Sequence, residues 1–333
     1  MGASKRRVSL HGVIFLRRGI ATLNESKYTA ADLKIMQAWP LSRKIQVTQA
    51  KIIEWYARFN GMVGVSISGG KDSSVLLDLA RRCFPDIEAV FVDTGLEFPE
   101  VRDIALNTPN VTVLRPTMRF DEVVQKYGWC YPSKDVANTI YYARKGSKWA
   151  LDRMKGQNSD GTPSKFRQDF YARWTYLIDA PFIISDKCCN IMKKAPSVKY
   201  EKVSGKHSIV GTMAAESHRR KQHWFKTGCN HFDTKNPVSK PLSFWNTQDI
   251  LRYIYNYKIP IASVYGNIVE DKKGWLSTDG EQRTGCTFCP VGCHHDKINR
   301  FQRMAQTHPK LHEYCMDALG LGAFLNYIGV PQK

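Results

Sequence analysis

The stretch VGVSISGGKDSSVLLDL, residues 63–79, decides the fold of this chain. Residues 63–68 form the apolar run of a buried strand, and residues 73–82 have the spacing of a helix. The turn between them, SGGKDS, is not a P-loop, which places four residues between its first glycine and Gly-Lys-Ser/Thr. Its glycines allow successive amides to point inward at a helix N-terminus, which predicts a cradle for a compact pyrophosphate.

The side chains of this turn suit the same ligand. Lys71 supplies a mobile positive charge, and Ser68 and Ser73 supply hydroxyl donors. Asp72 either helps to hold a metal ion or caps the helix, and both interpretations stay open because Asp is favourable at a helix N-terminus.

The rest of the chain alternates strands and helices. Strands are predicted at residues 88–92, 111–114 and 208–210. Helices are predicted at 42–60 and 121–127, with a third that begins near Pro99 and a fourth that is capped by Asn246 or Thr247 and ends at Tyr257. This order predicts an α/β fold with a doubly wound parallel sheet, a helical insert at about 134–178 broken at 156–163, and a cysteine-rich C-terminal region. We expect a basic arm or cap at 1–41, a nucleotide-binding domain at 42–260 and a C-terminal helical region at 261–333.

Charge is the unusual feature of the composition. Lys and Arg number 49 against 30 Asp and Glu, a net charge of +19. The stretch 187–226 alone holds ten Lys/Arg against Glu201 and Glu216. This excess predicts a polyanionic partner, most plausibly DNA or tRNA, with a merely soluble basic surface as the alternative. No apolar run approaches about 20 residues, so we expect a cytoplasmic protein without a membrane partner.

Two segments of the insert mix basic and aromatic side chains, at residues 141–149 and 165–174. Aromatic faces stack on bases while Lys and Arg follow phosphates, which favours contact with nucleic acid. The alternative is a helical core with a solvated charged face.

Three motifs together resemble one family. SGGKDS resembles the pyrophosphate loop of the PP-loop, adenine nucleotide α-hydrolase superfamily, and FVDTG at 91–95 is similar to the F-x-D-T-G of its phosphoadenosine-phosphosulfate (PAPS) reductase family. GTMAAESHRR at 211–220 resembles that family's G-x-R-x-x-x-S-x-x-R, although Met213 replaces the arginine. The resemblance implies a Rossmann-like sheet and catalytic roles for Lys71, Asp72 and Ser73. The nucleotide-binding residues that it implies are Ser68, Gly69, Gly70, Lys71, Asp72, Ser73, Asp93, Thr94, Gly95, Gly211, Ser217 and Arg220.

The nine cysteines extend the resemblance. The run CCNIMKKAP at 188–196 looks like the C-C-x3-K-x2-P of iron–sulfur adenylylsulfate (APS) reductases. In that group the cysteine pair joins a distant C-x-x-C, here Cys286 and Cys289, to bind a [4Fe–4S] cluster. The resemblance therefore implies Cys188, Cys189, Cys286 and Cys289 as ligands, with Cys229 and Cys293 in reserve and Lys193 as a counter-charge.

Other interpretations of the cysteines stay open. Cys286, Cys289 and Cys293 with His294 or His295 have the spacing of a zinc site, and uncoordinated thiols are a further alternative. Cys83 and Cys315 are predicted to be small buried hydrophobic residues. Cys130 is undecided.

The resemblance implies three functions. Reductases of the family carry a catalytic cysteine in a C-terminal E-C-G-x-H segment, whereas the last cysteine here is Cys315. This favours an ATP pyrophosphatase that uses ATP with Mg²⁺ to activate an oxygen for sulfur transfer to nucleic acid, as in DNA phosphorothioation or tRNA thiolation. A cysteine desulfurase or another protein would donate the sulfur. The alternatives are a sulfonucleotide reductase releasing sulfite and a non-catalytic nucleotide-binding regulator.

Overall fold

The structure is a computed structural model that describes residues 26–164, 168–232, 234 and 236–333. Most of the predicted basic arm lies outside the described residues, and so do residues 165–167 of the second aromatic segment.

In the part of the chain described from residue 26 onward, two helices precede the sheet, α1 (Ala30–Gln37) and α2 (Leu41–Arg58). The sequence shows no clean period over α1, yet Thr29 caps this helix by accepting a hydrogen bond from the Asp32 amide at 3.2 Å. This capping box supplies the start signal that the apolar pattern lacks. Helix α2, predicted at 42–60, is confirmed and buries Thr48, Ile52 and Trp55.

The first half of the sheet follows the predicted alternation of strands and helices. The elements are β1 (Val63–Ile67), α3 (Lys71–Cys83), β2 (Ala89–Val92), α4 (Pro99–Leu106), β3 (Val111–Leu114) and α5 (Phe120–Tyr127). Each predicted element is present with its ends shifted by at most two residues, because buried apolar runs and short glycine turns mark these units clearly.

A run of helices separates the two halves of the sheet. The helices are α6 (Lys134–Ala143), α7 (Lys148–Met154), α8 (Gln168–Ala172), α9 (Lys187–Cys189) and α10 (Ala195–Ser204). The predicted break falls between α7 and α8. A π-helical turn, Asn190–Lys194, joins α9 to α10 directly after the cysteine pair. Single π turns inside α-helices are frequent at functional sites.

The remaining elements complete the sheet and cover it. They are β4 (His207–Val210), α11 (His218–Thr227), β5 (Asn230–His231), β6 (Val238–Ser239), α12 (Thr247–Tyr257), β7 (Ile268–Glu270), β8 (Leu276–Thr278), α13 (Arg300–Thr307), α14 (Pro309–Glu313) and α15 (Leu321–Tyr327). Strands β7 and β8 form a separate antiparallel pair.

The main sheet has the order β3-β2-β1-β4-β6-β5. All neighbours are parallel except β5, which runs antiparallel to β6 at the edge. The chain therefore winds outward from β1 in both directions, which confirms the predicted doubly wound α/β fold. Because parallel strands end at one edge, the segments after β1, β2 and β4 meet there, at the switch point where such folds bind ligands.

Two hydrophobic cores support this arrangement. One surrounds the sheet and includes Trp55, Phe91 and Trp245. The other unites the helical insert with the C-terminal helices and includes Trp129 and Phe324. The insert and the C-terminal region therefore pack as one body beside the sheet, while the predicted domain boundaries stay a prediction. Among the described helices, none has the length and apolar character needed to cross a bilayer.

Candidate functional site

The turn after β1 depends on the two glycines for different reasons. Gly69 has φ +70°, and a Cβ there would lie 1.9 Å from the carbonyl oxygen of Val101 in α4. Gly70 has φ −81° and begins α3, and a Cβ on it would lie 3.2 Å from the Tyr265 hydroxyl. Gly69 is thus required by its left-handed backbone and a close approach, and Gly70 by crowding.

The serine hydroxyls have unequal roles. The Ser73 hydroxyl donates to the Gly70 carbonyl at 2.8 Å and accepts from the Ser68 amide at 3.1 Å, so it braces the turn from within. Ser68 is exposed, and its hydroxyl lies 3.3 Å from that of Ser73. Ser68 is therefore the hydroxyl of this turn that faces outward.

Lys71 and Asp72 lie together at the start of α3. Lys71 is only 6% exposed, and its ammonium group donates to the Gln282 carbonyl at 3.1 Å and lies 3.6 Å from Oδ1 of Asp72. That separation is too long for a hydrogen bond, so Oδ1 has no hydrogen-bond partner among the described residues. Burial raises the pKa of the Asp72 carboxyl, although Lys71 acts in the opposite direction. A bound cation would satisfy this oxygen.

A C-terminal segment covers the turn. The Tyr265 hydroxyl accepts a hydrogen bond from the Lys71 amide at 3.2 Å and lies 2.6 Å from the Thr284 hydroxyl. Thr284 lies two residues before Cys286, so the segment next to the turn continues directly into the C-x-x-C motif. The sequence offers no local signal for this contact, since the partners are 194 residues apart.

The second motif, at residues 91–95, follows the strand next to β1, and its Asp93 is already paired with an arginine. Asp93 is held by the Arg102 guanidinium through two hydrogen bonds of 2.8 and 2.7 Å. These bonds lower the pKa of the Asp93 carboxyl. The Thr94 hydroxyl donates to Glu97 at 2.7 Å, and the Gly95 amide donates to Asp93 at 3.3 Å. Arg102 and Glu97 are site residues that the sequence reasoning missed.

The third motif packs against the start of α3 and links it to Arg283. Gly211 packs against the first turn of α3, because a Cβ there would lie 3.4 Å from the Asp72 carbonyl. Ser217 caps α11 by accepting a hydrogen bond from the Arg220 amide at 3.3 Å. Glu216 pairs with both Arg220 and Arg283 and contributes, with Arg283, to the electrostatic environment of Asp72. Met213 is buried in the sheet core, where a charged side chain would be costly.

The four predicted cysteine ligands line one small cavity between the insert and the C-terminal region. Cys188 and Cys189 face it from the end of α9, and Cys286 and Cys289 from the loop before α13, with Cys130 also in its wall. Lys134 and Lys193 lie beside Cys189 and Cys286. Burial raises the pKa of Cys289 to about 11, so without a bound cation this thiol is protonated at neutral pH.

The reserve ligands do not join this cavity. Cys229 lies in the sheet core near Trp224 and Ser243, and its role as a replacement ligand stays a prediction. Cys293 packs in the second core without lining the cavity. The sequence left Cys130 undecided, and the structure places it beside Cys188.

The zinc alternative stays a prediction, as the cluster does. Among the described residues, no three or more His, Cys, Asp and Glu side chains, those of the cavity included, form a group that could hold a metal ion. His294 instead packs its ring against Tyr131 and Trp174, with centroids 5.4 and 5.1 Å away.

The insert divides between core and surface. Arg144, one of the predicted phosphate contacts, donates to the carbonyls of Leu177, Ala180 and Phe182, so it holds the insert together. Tyr171 is fully buried, whereas Trp149 is exposed. Part of the aromatic pattern is therefore core, as the alternative interpretation held.

Comparison with known proteins places this geometry in a family. The phosphoadenosine phosphosulfate reductase domain family matches residues 62–131 and 150–298, which include all three nucleotide motifs and the four cavity cysteines. The chain belongs to this family. An adenosine 5′-phosphosulfate reductase of Geobacillus kaustophilus is a relative within it at 23% identity, covering 72% of this chain and 77% of that protein.

The chain is also similar to a second sequence relative and to a solved structure. An uncharacterized protein of Methanocaldococcus jannaschii is 24% identical over 287 residues, covering 83% of this chain, which spans 53% of that relative's length. A solved phosphoadenylyl-sulfate reductase from Candida auris, a phosphate complex, covers 79% of this chain and 100% of its own at 14% identity, with a TM-score of 0.39.

Proposed function

We propose that this member of the PAPS reductase family is an ATP pyrophosphatase that adenylylates an oxygen of nucleic acid in preparation for sulfur transfer. One observation carries the proposal. The SGGKDS turn gathers a buried lysine, a carboxylate oxygen 3.6 Å from its ammonium group and a helix N-terminus at the switch point of the sheet, and the charge of Arg283 acts on the same carboxylate. Convergent donors of this kind suit a di- or triphosphate.

Each residue of the turn has a role in this reaction. The amides at the start of α3 and the Lys71 ammonium group bind the β,γ-diphosphate of ATP. A substrate oxygen then attacks the α-phosphorus, the bond from that phosphorus to the bridging oxygen breaks, and pyrophosphate leaves. Lys71, Arg220 and Arg283 neutralise the charge that develops on pyrophosphate, and this preorganised electrostatic stabilisation lowers the barrier. Asp72 would hold the Mg²⁺ that accompanies ATP through its free Oδ1.

The cysteine cavity fits an iron–sulfur cluster better than a single ion. Its four predicted ligands are all cysteines, and two lysines lie beside them. A [4Fe–4S] cluster takes one thiolate on each of four irons, so the sulfurs need not converge on one point as they must around zinc. Cys188, Cys189, Cys286 and Cys289 would hold it, and when bound it would supply a site for sulfide or electron transfer.

The second half-reaction replaces AMP. A hydrosulfide equivalent, delivered by a cysteine desulfurase or another donor, attacks the carbon or phosphorus atom that carries the adenylylated oxygen. The bond from that atom to the oxygen breaks, AMP leaves with the oxygen, and sulfur remains bonded to the nucleic acid. The net charge of +19 favours a polyanionic substrate over a small neutral one.

The test measures conversion of ATP to AMP and pyrophosphate, with and without added nucleic acid. Lys71→Gln keeps most of the side-chain volume and should lower pyrophosphate release by about 10²–10³-fold, the usual effect of removing one electrostatic donor. Lys34→Gln, on the exposed face of α1, is the matched control and should match the wild type. Unchanged pyrophosphate release in Lys71→Gln would refute the assignment, and ATP binding without any turnover in the wild type would point to a nucleotide-binding regulator.

A sulfonucleotide reductase is the second candidate, because the Geobacillus relative carries that name. This activity needs a thiol nucleophile. Cys293 and Cys315 are both buried, which keeps a substrate away from either thiol. Burial also raises the pKa of Cys293 to about 12, so this thiol is a poor nucleophile. Release of sulfite from APS or PAPS in the presence of reduced thioredoxin would favour the reductase over the pyrophosphatase.

A further inference from the structure

Helix α11 carries cations on one side that the nucleotide site does not use. Arg219 and Lys226 are exposed and lie two helical turns apart on the same side, and the helix sequence HRRKQHWFKT contains no acidic residue. Lys240 contacts His223, which lies between them on that side. We call Arg219, Lys226 and Lys240 the α11 cationic face. The opposite side of the helix is anchored in the sheet core by Trp224. The helix is therefore rigidly held while its charges project into solvent.

The charges of this face are not balanced within the protein. No described residue forms an ion pair with Arg219, Lys226 or Lys240, whereas Arg220 on the same helix pairs with Glu216. Cations without an internal counter-charge are available to bind an anion.

The position of the face connects it to the nucleotide site. Ser217, which caps α11, follows Glu216, and Glu216 binds Arg283 at 3.2 Å beside the SGGKDS turn. Lys240 lies 3.3 Å from His223 and adds charge along the same helix. From Arg219 to Lys226 the helix rises by about 10 Å. The positive charge thus runs outward from the turn as a line rather than closing into a pocket.

We propose that the α11 cationic face binds the phosphate backbone of the nucleic acid whose oxygen the proposed activity modifies. A line of separate cations suits successive phosphates of a polymer, whereas a nucleotide needs convergent donors such as those of the turn. The proposal rests on the proposed function and adds the route by which the strand reaches the site. It assigns this contact to α11 in preference to the insert, where Arg144 is already committed to backbone carbonyls.

The experiment compares two triple variants of the full chain. R219Q/K226Q/K240Q removes three charges from the face, and K272Q/K273Q/K310Q removes three exposed charges elsewhere. Binding of a fluorescein-labelled 30-nucleotide single-stranded DNA is followed by anisotropy between about 50 and 200 mM KCl. The face variant should bind about tenfold or more weakly, and the slope of log K against log salt should fall by about 2, since each lost phosphate contact on a single strand contributes about 0.7.

Each outcome has a definite meaning. The control variant should keep the wild-type slope, and the face variant should keep wild-type ATP binding, because its residues lie outside the turn. Equal DNA binding by the two triple variants would overturn the proposal. Displacement of the DNA by polyglutamate of equal charge and equal potency would overturn it too, in favour of an acidic protein partner. A wild type that cleaves ATP but binds no DNA would refute this surface while leaving the pyrophosphatase activity intact.

Discussion

The Tyr265 hydroxyl accepts a hydrogen bond of 3.2 Å from the backbone amide of Lys71. This amide lies at the start of α3, where an anion would otherwise bind. The Gln282 carbonyl accepts from the Lys71 ammonium group in the same way, at 3.1 Å. Two groups of the C-terminal region therefore occupy donors that the proposed reaction assigns to the diphosphate. A diphosphate that takes the Lys71 amide must displace the Tyr265 hydroxyl, whereas the ammonium group has three donors and can keep its bond to Gln282. The segment that carries Gln282 leads to Cys286.

Tyr265→Phe should separate stability from ligand binding. Loss of the hydroxyl leaves the Lys71 amide and the Thr284 hydroxyl without this partner, which should lower the free energy of unfolding by about 1–2 kcal/mol. A phosphate no longer competes with that hydrogen bond, so the affinity for pyrophosphate should rise about fivefold. Urea unfolding and isothermal titration calorimetry measure the two effects.

Tyr253→Phe is the matched control for this change. Tyr253 is equally buried, and its hydroxyl donates to Asp78, away from the turn. This variant should lose stability without any gain in pyrophosphate affinity. Parallel behaviour of the two variants would mean that the Tyr265 hydroxyl does not compete with the ligand.

The two left-handed glycines after β1 and β2 should differ sharply in their tolerance of a methyl group. Gly69→Ala places a Cβ 1.9 Å from the Val101 carbonyl oxygen, whereas Gly95, also at φ +70°, has no atom within 4 Å of the added Cβ. Gly95→Ala should therefore cost only the backbone strain, about 1 kcal/mol, and Gly69→Ala about 3 kcal/mol or more. Chemical unfolding of both variants checks this, and equal losses would contradict the close approach of α4 to the turn.

Much of the fold is predictable from the sequence because its units are local. A buried apolar run, a glycine turn and a helix start are contiguous at 63–79, and the same pattern recurs after β2. Parallel strands then leave few possible arrangements, which places the ends of β1, β2 and β4 at one edge. The cysteine pair and the C-x-x-C motif were assigned to one site by resemblance, and the structure brings all four to one cavity.

The contacts that the sequence could not supply are distant in the chain. Tyr265 meets Lys71, and Arg144 meets the carbonyls of the segment from Leu177 to Phe182, through tertiary packing that no local pattern encodes. The core position of Cys229 is likewise not encoded locally, because sequence spacing does not tell a ligand from a buried thiol. Helix α1 was not predicted because its capping residues, rather than an apolar period, define it.

The pair Asp93–Arg102 should make stability depend on acid pH. Since Arg102 lowers the pKa of Asp93 in the folded state, the pair stabilises the fold above the ordinary value of 3.8 and loses this effect as the pH falls through the folded pKa. Asp93 is 5% exposed and Arg102 is 38% exposed, so Arg102→Gln should cost about 2 kcal/mol at pH 7, less than a fully buried pair.

Urea unfolding of the wild type and Arg102→Gln at pH 7, 5 and 3 measures this dependence. The difference between the two proteins should be largest at pH 7 and should shrink as the pH falls below 3.8, because the unfolded carboxyl then takes up a proton that the folded ion pair resists. A difference that is constant over this range would show that Arg102 acts through packing rather than charge.

The cysteine variants test the composition of the cavity. Protein purified without oxygen should be brown and contain about four irons per chain. Cys286→Ser and Cys189→Ser should each lose most of this iron because each removes one of four thiolate ligands. Cys229→Ser, in the sheet core, and Cys130→Ser, in the cavity wall, are the controls and should retain it. Stoichiometric zinc in a colourless protein would exclude the cluster, and iron loss in Cys130→Ser would instead place Cys130 among the ligands.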